Sequence, residues 1–477
     1  ELKILYKKID SGILQELEHI VGKKNLITER ENMEDYGHDE IALSHMRNYP
    51  EVVLRPSTSK EISEILKLAN KHLIPVVARG GGTGLAGGCV PVFGGIVISL
   101  EKMNKFLELD EENLMATMEA GVTLMKFHQT LQEKNLFFPP HPGEESATIG
   151  GIISTNAGGA RAVKYGTVRN FVRSIEVVLP QGDIVKLGGK LLKDSSGYNL
   201  LHLMIGSEGT LGIVTKGTFS IMPIPKASLT LIIPFDDVSG ALKSVPHILC
   251  SGILPLSIEF VSSELIIMTK EFLKKSWPVQ VGNVYLLIIL EGEDMEEVEK
   301  ASMKVSEVCL SHKAIDVFVA ESRDKQDEIL EIRSKIYEAL KSKTVEAIDI
   351  VLPRNQIEPH LKRLSEIEKE ADMWLPTFGH AADGNLHTHI SKFNLKGEYI
   401  EDWEKKYEDV RRAIHDDAIE RGGKISGEHG IGFAKKEYLE IFTDKSLLQL
   451  MKGIKRTFDP NNILNPGKIF DLTQEKY

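Results

Sequence analysis

The run Arg79-Gly80-Gly81-Gly82-Thr83-Gly84-Leu85-Ala86-Gly87-Gly88 constrains this chain more than any other feature. It follows Ile74 to Ala78, an apolar stretch that reads as a buried strand. Upstream, Glu51 to Leu54 reads as another strand, and Thr58 and Glu61 have capping-box spacing before a helical face of Ile62, Ile65, Leu66 and Ala69. The sequence thus predicts a β-α-β unit that delivers the chain into a glycine loop. Residues 82–87 fit G-x-G-x-x-G, and Glu101 lies about 20 residues on, as a dinucleotide fingerprint asks. That fingerprint also needs a helix opening at the loop. The continuation, Gly87-Gly88-Cys89-Val90-Pro91-Val92-Phe93-Gly94-Gly95, cannot be one. No Gly-Lys-Ser/Thr follows, which removes the P-loop ATPases. A plain turn stays open. The alternative is a nest of backbone N–H groups for a pyrophosphate, with Arg79 adding charge at its entrance.

Further strands are expected at Gly95–Leu100 and Leu114–Glu119, then a helix face of Leu124, Phe127 and Leu131. Residues 139–166 are rich in Gly, Ala, Ser and Asn, which suits backbone lying close to a large flat ligand. Ser174–Leu179 and Ile184–Leu187 flank Pro180-Gln181-Gly182, a hairpin signal. Beyond residue 225, apolar β runs alternate with amphipathic helices to about residue 330, which predicts a second α+β domain. A helix carrying Trp403, Tyr407, Val410 and Ile414 should end at Gly422-Gly423, and one through Leu447, Met451, Ile454 and Phe458 at Asp459-Pro460. The expected partition is an N-terminal helical segment (1–45), a first domain (46–225), a second (226–420) and a returning C-terminal segment (421–477).

Composition excludes several classes. A formal net charge of −11 with no long Lys/Arg block argues against nucleic acid as a partner. Cys89, Cys250 and Cys309 stand far apart with no C-x-x-C, so no zinc ribbon or iron–sulfur run is expected, and a reducing compartment is. No apolar run of about 18 residues predicts a transmembrane span. The polar N-terminus lacks a signal-peptide core. A cytoplasmic protein is expected, with peripheral membrane attachment left open.

Histidines supply the second signal. In Phe378-Gly379-His380-Ala381-Ala382-Asp383-Gly384-Asn385-Leu386-His387-Thr388-His389, the residues 382–385 are a turn signal between two β-like runs. A hairpin there brings His380 near His387, and places His387 and His389 on one strand face. Ser426-Gly427-Glu428-His429-Gly430 adds a carboxylate and an imidazole on a loop. Two His and a carboxylate suit a catalytic divalent metal, although a polar hairpin could carry the same letters.

Taken in order, the blocks Arg79–Gly84, Pro142-Gly143, Thr148-Ile149-Gly150-Gly151, Thr155–Gly159, Gly206–Gly212 and Asn465-Pro466-Gly467-Lys468 resemble the FAD-binding family of vanillyl-alcohol oxidase and p-cresol methylhydroxylase. The resemblance implies an α+β fold: a two-lobed FAD-binding domain of the p-cresol methylhydroxylase type plus an α+β cap domain. It implies FAD contacts at Pro56, Arg79, Gly80, Gly81, Gly82, Thr83, Gly84, Leu85, Gly88, Pro142, Thr148, Gly151, Asn156, Gly158, Gly159, Glu208, Gly212, Ile213, Val214 and Asn465. Among these, Glu208 with Ile213 and Val214 would lie near the adenine half. Some relatives bond the flavin through a His four residues after the loop Arg. Thr83 stands there, so non-covalent FAD is expected.

The histidine blocks resemble the branch of glycolate oxidase, D-lactate dehydrogenase and D-2-hydroxyglutarate dehydrogenase. Carried over, His380, His387 and Glu428 would bind one divalent metal (Zn, Fe or Mn), and His429 would be the base. Arg333 is the candidate for the substrate carboxylate, since guanidinium suits bidentate recognition. The resemblance implies oxidation of a D-2-hydroxy acid, with hydride passing from C2 to flavin and electrons leaving to a protein such as an electron-transferring flavoprotein or an Fe–S subunit. Relatives acting on D-2-hydroxyglutarate carry a Lys just before the Asp of a D-x-x-x-P segment. Here Ala347 and Ile348 precede Asp349, which favours a monocarboxylate such as D-lactate, with glycolate or D-2-hydroxyglutarate as the alternative substrates. Rival expectations are a metal-free flavin oxidase of the same fold and a non-catalytic FAD-binding subunit of a larger oxidase.

Overall fold

A computed structural model describes residues 6–41, 43, 46–320 and 322–472. The chain divides into two compact units. The first takes the residues up to Ala157, Thr167–Pro223, and those from Glu428 onward; the second takes Gly158–Gly166 and Ile224–Gly427.

The first unit holds two main sheets. One has the order β1-β2-β4-β3, from Leu26–Ile27 (β1), Val52–Leu54 (β2), Val76–Arg79 (β3) and Ile96–Ser99 (β4). Both β2 and β3 run parallel to β4, with the helix Ser59–His72 as the crossover between β2 and β3. That helix starts where the sequence expects: Thr58 Oγ1 accepts from the Glu61 N–H, and the Glu61 carboxylate reaches back to the Ser57 N–H. Its apolar face, Ile62, Ile65, Leu66 and Ala69, is fully buried. The N-terminal helix Ser11–Val21 joins this same core through Ile13, Leu17 and Val21, so the N-terminal segment is part of the first unit.

The other sheet is antiparallel, ordered β5-β6-β10-β8-β9, from Phe106–Asp110 (β5), Met115–Glu119 (β6), Val172–Val178 (β8), Ile184–Gly188 (β9) and Ile213–Ser220 (β10). The hairpin expected around Pro180–Gly182 joins β8 to β9. A two-stranded ribbon pairs Leu136–Phe137 (β7) with Met222–Pro223 (β11). The C-terminal segment returns to this unit: the Val76 N–H donates to Ile463 O at 2.7 Å and the Asn465 N–H to Val76 O at 2.7 Å.

The second unit is built on a seven-stranded antiparallel sheet, β15-β12-β14-β13-β17-β18-β16. Its strands are Ala227–Phe235 (β12), Ser257–Ser262 (β13), Val284–Gly292 (β14), Phe318–Ala320 (β15), Thr344–Val351 (β16), Thr377–His380 (β17) and Asn385–Ser391 (β18). Ile232, Val261, Leu287 and Phe378 from the sheet pack with Ile332, Ile336 and Leu340 from helices.

Three features differ from the sequence expectation. Residues 139–166 contain a helix, Ile149–Thr155, whose glycines pack close: a Cβ at Gly150 would sit 2.9 Å from the Ala120 side chain. Residues 158–166 leave the first unit for the second. The last boundary falls between Gly427 and Glu428, inside the histidine loop, rather than at residue 420.

Candidate active site

In the first unit, β3 ends at Arg79 and no helix opens at the glycine loop. Arg79 is 8% exposed; its Nη1 donates to His38 O at 2.5 Å and to Cys89 Sγ at 3.1 Å. Any side chain on Gly82 would overlap the guanidinium, and Gly82 has φ +71. Arg79 therefore braces the loop from beneath.

Beside the loop lies a cavity of about 490 Å³, lined by Arg79, Gly80, Gly81, Thr123, Ser146 and Thr148 among others. Glycine is required here by close approach. A Cβ on Gly80 would overlap Thr148 Oγ1, and one on Gly81 would meet Ser146 O at 2.7 Å. Thr148 Oγ1 is buried without a hydrogen-bond partner. A buried hydroxyl in that state is costly unless a ligand completes it. A cradle of bare backbone with an orphaned hydroxyl fits a pyrophosphate-containing cofactor such as FAD.

Other residues assigned to FAD from sequence have structural work. Gly212 packs on Val177, and Ile213 and Val214 are buried in β10 opposite Val178 and Val177. These two side chains are core, so any contact with the adenine half of FAD would come from their backbone. Asn156 ends the helix Ile149–Thr155 in a left-handed conformation, and its Oδ1 accepts from Thr167 Oγ1 and the Arg169 N–H. Asn465 Nδ2 donates to Gly88 O and Glu208 O, tying the tail to the glycine loop.

Glu208 has a structural role that the sequence did not suggest. Its carboxylate accepts from the Ile431 N–H at 2.8 Å and the Gly432 N–H at 2.6 Å. Burial pushes its carboxyl pKa up, partly offset by those two N–H donors. Glu208 thus clamps the loop that begins Glu428-His429, and Gly430 (φ +83) leaves room for it. On that loop His429 Nε2 lies 3.9 Å from Glu428 Oε1.

In the second unit, the expected turn joins β17 to β18, and the Gly384 N–H donates to His380 O at 3.1 Å. His380 and His387 come together with ring centroids 5.4 Å apart and planes at 89°. Both are about 8% exposed. His389 lies on the same strand, with Nδ1 3.1 Å from Thr344 Oγ1, and its ring stacks on Phe378.

Behind His380 stands Glu259 of β13, its direct cross-strand partner. His380 Nδ1 and Glu259 Oε1 are 2.7 Å apart. Arg333 Nη2 donates to Glu259 Oε2, and its guanidinium lies 4.8 Å over the Phe378 ring. Burial alone would raise the Glu259 pKa, but His380 and Arg333 outweigh it and hold the carboxyl down at about 2. Arg333, expected to meet a substrate carboxylate, gives one N–H of its guanidinium to Glu259. Asp349 of β16 is the cross-strand partner of His387, with its Oδ1 4.0 Å from His387 Nδ1, a looser approach than Glu259 makes to His380. Asp349 accepts from Asn385 Nδ2 at 2.7 Å, Ser426 Oγ at 2.9 Å and the Gly427 N–H at 3.0 Å. Sequence reasoning gave no role to Glu259 or Asn385 and used Asp349 only as a landmark. The available signal was a single acid inside an apolar strand, in Ser257-Ile258-Glu259-Phe260 and Ala347-Ile348-Asp349-Ile350, since a buried carboxylate needs partners.

The FAD binding domain family matches residues 50–188, and the FAD linked oxidases, C-terminal domain family matches residues 224–469. The chain is 44% identical to a D-lactate dehydrogenase of Archaeoglobus fulgidus over 88% of this chain and 91% of that one. It is 40% identical to a D-lactate dehydrogenase of Anaerostipes hadrus over 97% and 98%. The fold matches that of p-cresol methylhydroxylase with substrate bound, with TM-score 0.80, 18% identity, and coverage of 99% of this chain and 100% of the other. No helix among the described residues is long and apolar enough to cross a membrane.

Proposed function

This chain belongs to the FAD-linked oxidase family, and we propose that within it the protein oxidises D-lactate to the 2-oxo acid with the help of a divalent metal. It is an FAD-dependent D-2-hydroxy-acid dehydrogenase. The observation that carries the metal reading is the pairing of His380 and His387 on adjacent strands, each with a buried carboxylate behind it. The two D-lactate dehydrogenases support the substrate, as do Ala347 and Ile348 before Asp349, where relatives using a second carboxylate carry a Lys.

His380, His387 and Glu428 would hold the metal. Glu259 fixes the tautomer of His380, with the proton on Nδ1, which assigns ligation to Nε2. Asp349 orders Gly427, and Glu428 is the next residue in the chain. A divalent cation at these ligands would lower the pKa of a substrate hydroxyl. His429 then accepts the hydroxyl proton. FAD, when bound, supplies the two-electron acceptor for the hydride from C2. Glu208 keeps the His429 loop in one conformation by holding its backbone. Reduced enzyme passes electrons to a protein acceptor, an electron-transferring flavoprotein or an Fe–S subunit. Pro56, Thr83, Gly84, Leu85, Gly151, Gly158 and Gly159 stay assigned to FAD on the family resemblance.

Anaerobic flavin bleaching tests this reading. D-Lactate should bleach the flavin faster than glycolate, L-lactate or D-2-hydroxyglutarate. Chelation should abolish bleaching, and added divalent metal should restore it. Bleaching that survives exhaustive chelation would overturn the metal, and preference for another acid would overturn the substrate.

A further inference from the structure

A second cluster of metal-ligating side chains lies in the first unit, apart from the histidine strands. We propose that His128, His141 and Glu145 form a second divalent transition-metal site, of the kind that takes zinc, which clips the helix Leu124–Gln132 to the segment leading into the cofactor cavity. Their donor atoms all lie within 4.8 Å of one another. His128 Nδ1 is 3.2 Å from both Glu145 oxygens, and His141 Nδ1 is 3.7 Å from Glu145 Oε1.

These separations bear on two accounts. A charged hydrogen bond between imidazolium and carboxylate closes to about 2.7–2.9 Å. All three observed distances exceed that, and 3.7 Å is no hydrogen bond. Tetrahedral ligands at about 2.0–2.1 Å from zinc are spaced about 3.3–3.4 Å from each other. The His128–Glu145 and His141–Glu145 separations, 3.2 and 3.7 Å, bracket that spacing, and the third pair lies within 4.8 Å. Two imidazoles and one carboxylate are also an established zinc donor set with a position left for water. The side chains are 22%, 36% and 40% exposed, so solvent reaches that position.

The backbone presents the cluster. The helix Leu124–Gln132 buries Leu124, Phe127 and Leu131, which sets His128 on its flank. Glu145 O accepts from the Met125 N–H at 3.0 Å and Ala147 O from the Leu124 N–H at 2.9 Å, fastening the segment to the helix start. Pro142-Gly143 turn the chain between His141 and Glu145, and Glu144 Oε1 accepts from the Ser146 N–H and hydroxyl. The next residues, Ser146 and Thr148, line the cavity. A metal here would add a side-chain fastening to a loop otherwise held by main-chain bonds.

The test uses FAD-loaded full chain, dialysed against zinc chloride and counted by elemental analysis. Wild type should hold one zinc per chain more than His141→Ala, and Glu145→Gln should lose the same equivalent. His387→Ala should keep it, which separates this site from the histidine strands. Zinc should raise the melting temperature of His387→Ala protein and leave that of the His141→Ala, His387→Ala double variant unchanged. Equal zinc in wild type, His141→Ala and Glu145→Gln would overturn the proposal.

Discussion

The cavity of the first unit and the histidine strands of the second are made of different material. The cavity is shaped by absent side chains: Gly80 and Gly81 let backbone approach Thr148 and Ser146, and Arg79 works beneath the surface. The histidine strands are shaped by side chains in pairs, each imidazole backed by a carboxylate from a neighbouring strand. A site made of backbone tolerates no added atoms. A site made of paired side chains tolerates changes in shape better than changes in charge.

That contrast is broken or sharpened first by two substitutions with the largest expected effects. Gly80→Val should abolish FAD retention, because its Cβ lands on the Thr148 hydroxyl. The ratio of flavin to protein absorbance reads it out. His387→Ala should keep its flavin and lose turnover by about 10²–10⁴-fold, the size of a lost catalytic group. Full flavin in Gly80→Val, or lost flavin in His387→Ala, would erase the distinction.

The same contrast explains what the sequence revealed. Strand β3, the loop without a helix and the β17–β18 hairpin were all legible, because glycines, turn residues and apolar runs are local signals. The helix Ile149–Thr155 was not, since its Ile-Gly-Gly-Ile-Ile-Ser-Thr sequence has poor helix formers and rests on tertiary packing of Gly150. His380 and His387 were legible as a pair seven residues apart. Glu259 lies 121 residues before His380, and no local rule connects them. The Arg333–Glu259 bond was hidden for the same reason: the partners are remote in sequence. Glu208 bonds a loop more than 220 residues away, a task that its place in a glycine block does not suggest.

The carboxylates behind the histidines give the next largest effect. Glu259→Gln preserves shape and removes charge. It should cost about 10–100-fold in metal affinity and activity, the range for such supporting groups. Arg333 would then be left as a buried cation without its partner, so Glu259→Gln, Arg333→Met should recover part of the loss in fold stability. Metal titration and thermal melting check the two halves. Glu208→Gln should lower kcat about 10-fold with flavin content kept, because one of the two loop N–H groups would face an amide NH₂ or lose part of a charge-assisted bond. An unchanged kcat would mean that the loop holds itself.

The smallest effect belongs to Thr148. Its hydroxyl is buried, lacks a partner and lies where a Cβ on Gly80 would sit. If FAD completes it, Thr148→Val keeps the branched shape and loses one hydrogen bond, a net loss of about 1 kcal/mol or about fivefold in affinity. Thr148→Ser should restore binding. If the hydroxyl were only strained packing, Thr148→Val would bind FAD as tightly as wild type or more so, since an uncompensated buried hydroxyl costs more than a methyl group. Fluorescence titration of FAD into apoprotein separates the two signs, and the sign matters more than the size. A weakened site places the side-chain logic of the second unit inside the first as well, at the one point where the glycine cradle uses a hydroxyl to finish what backbone alone begins.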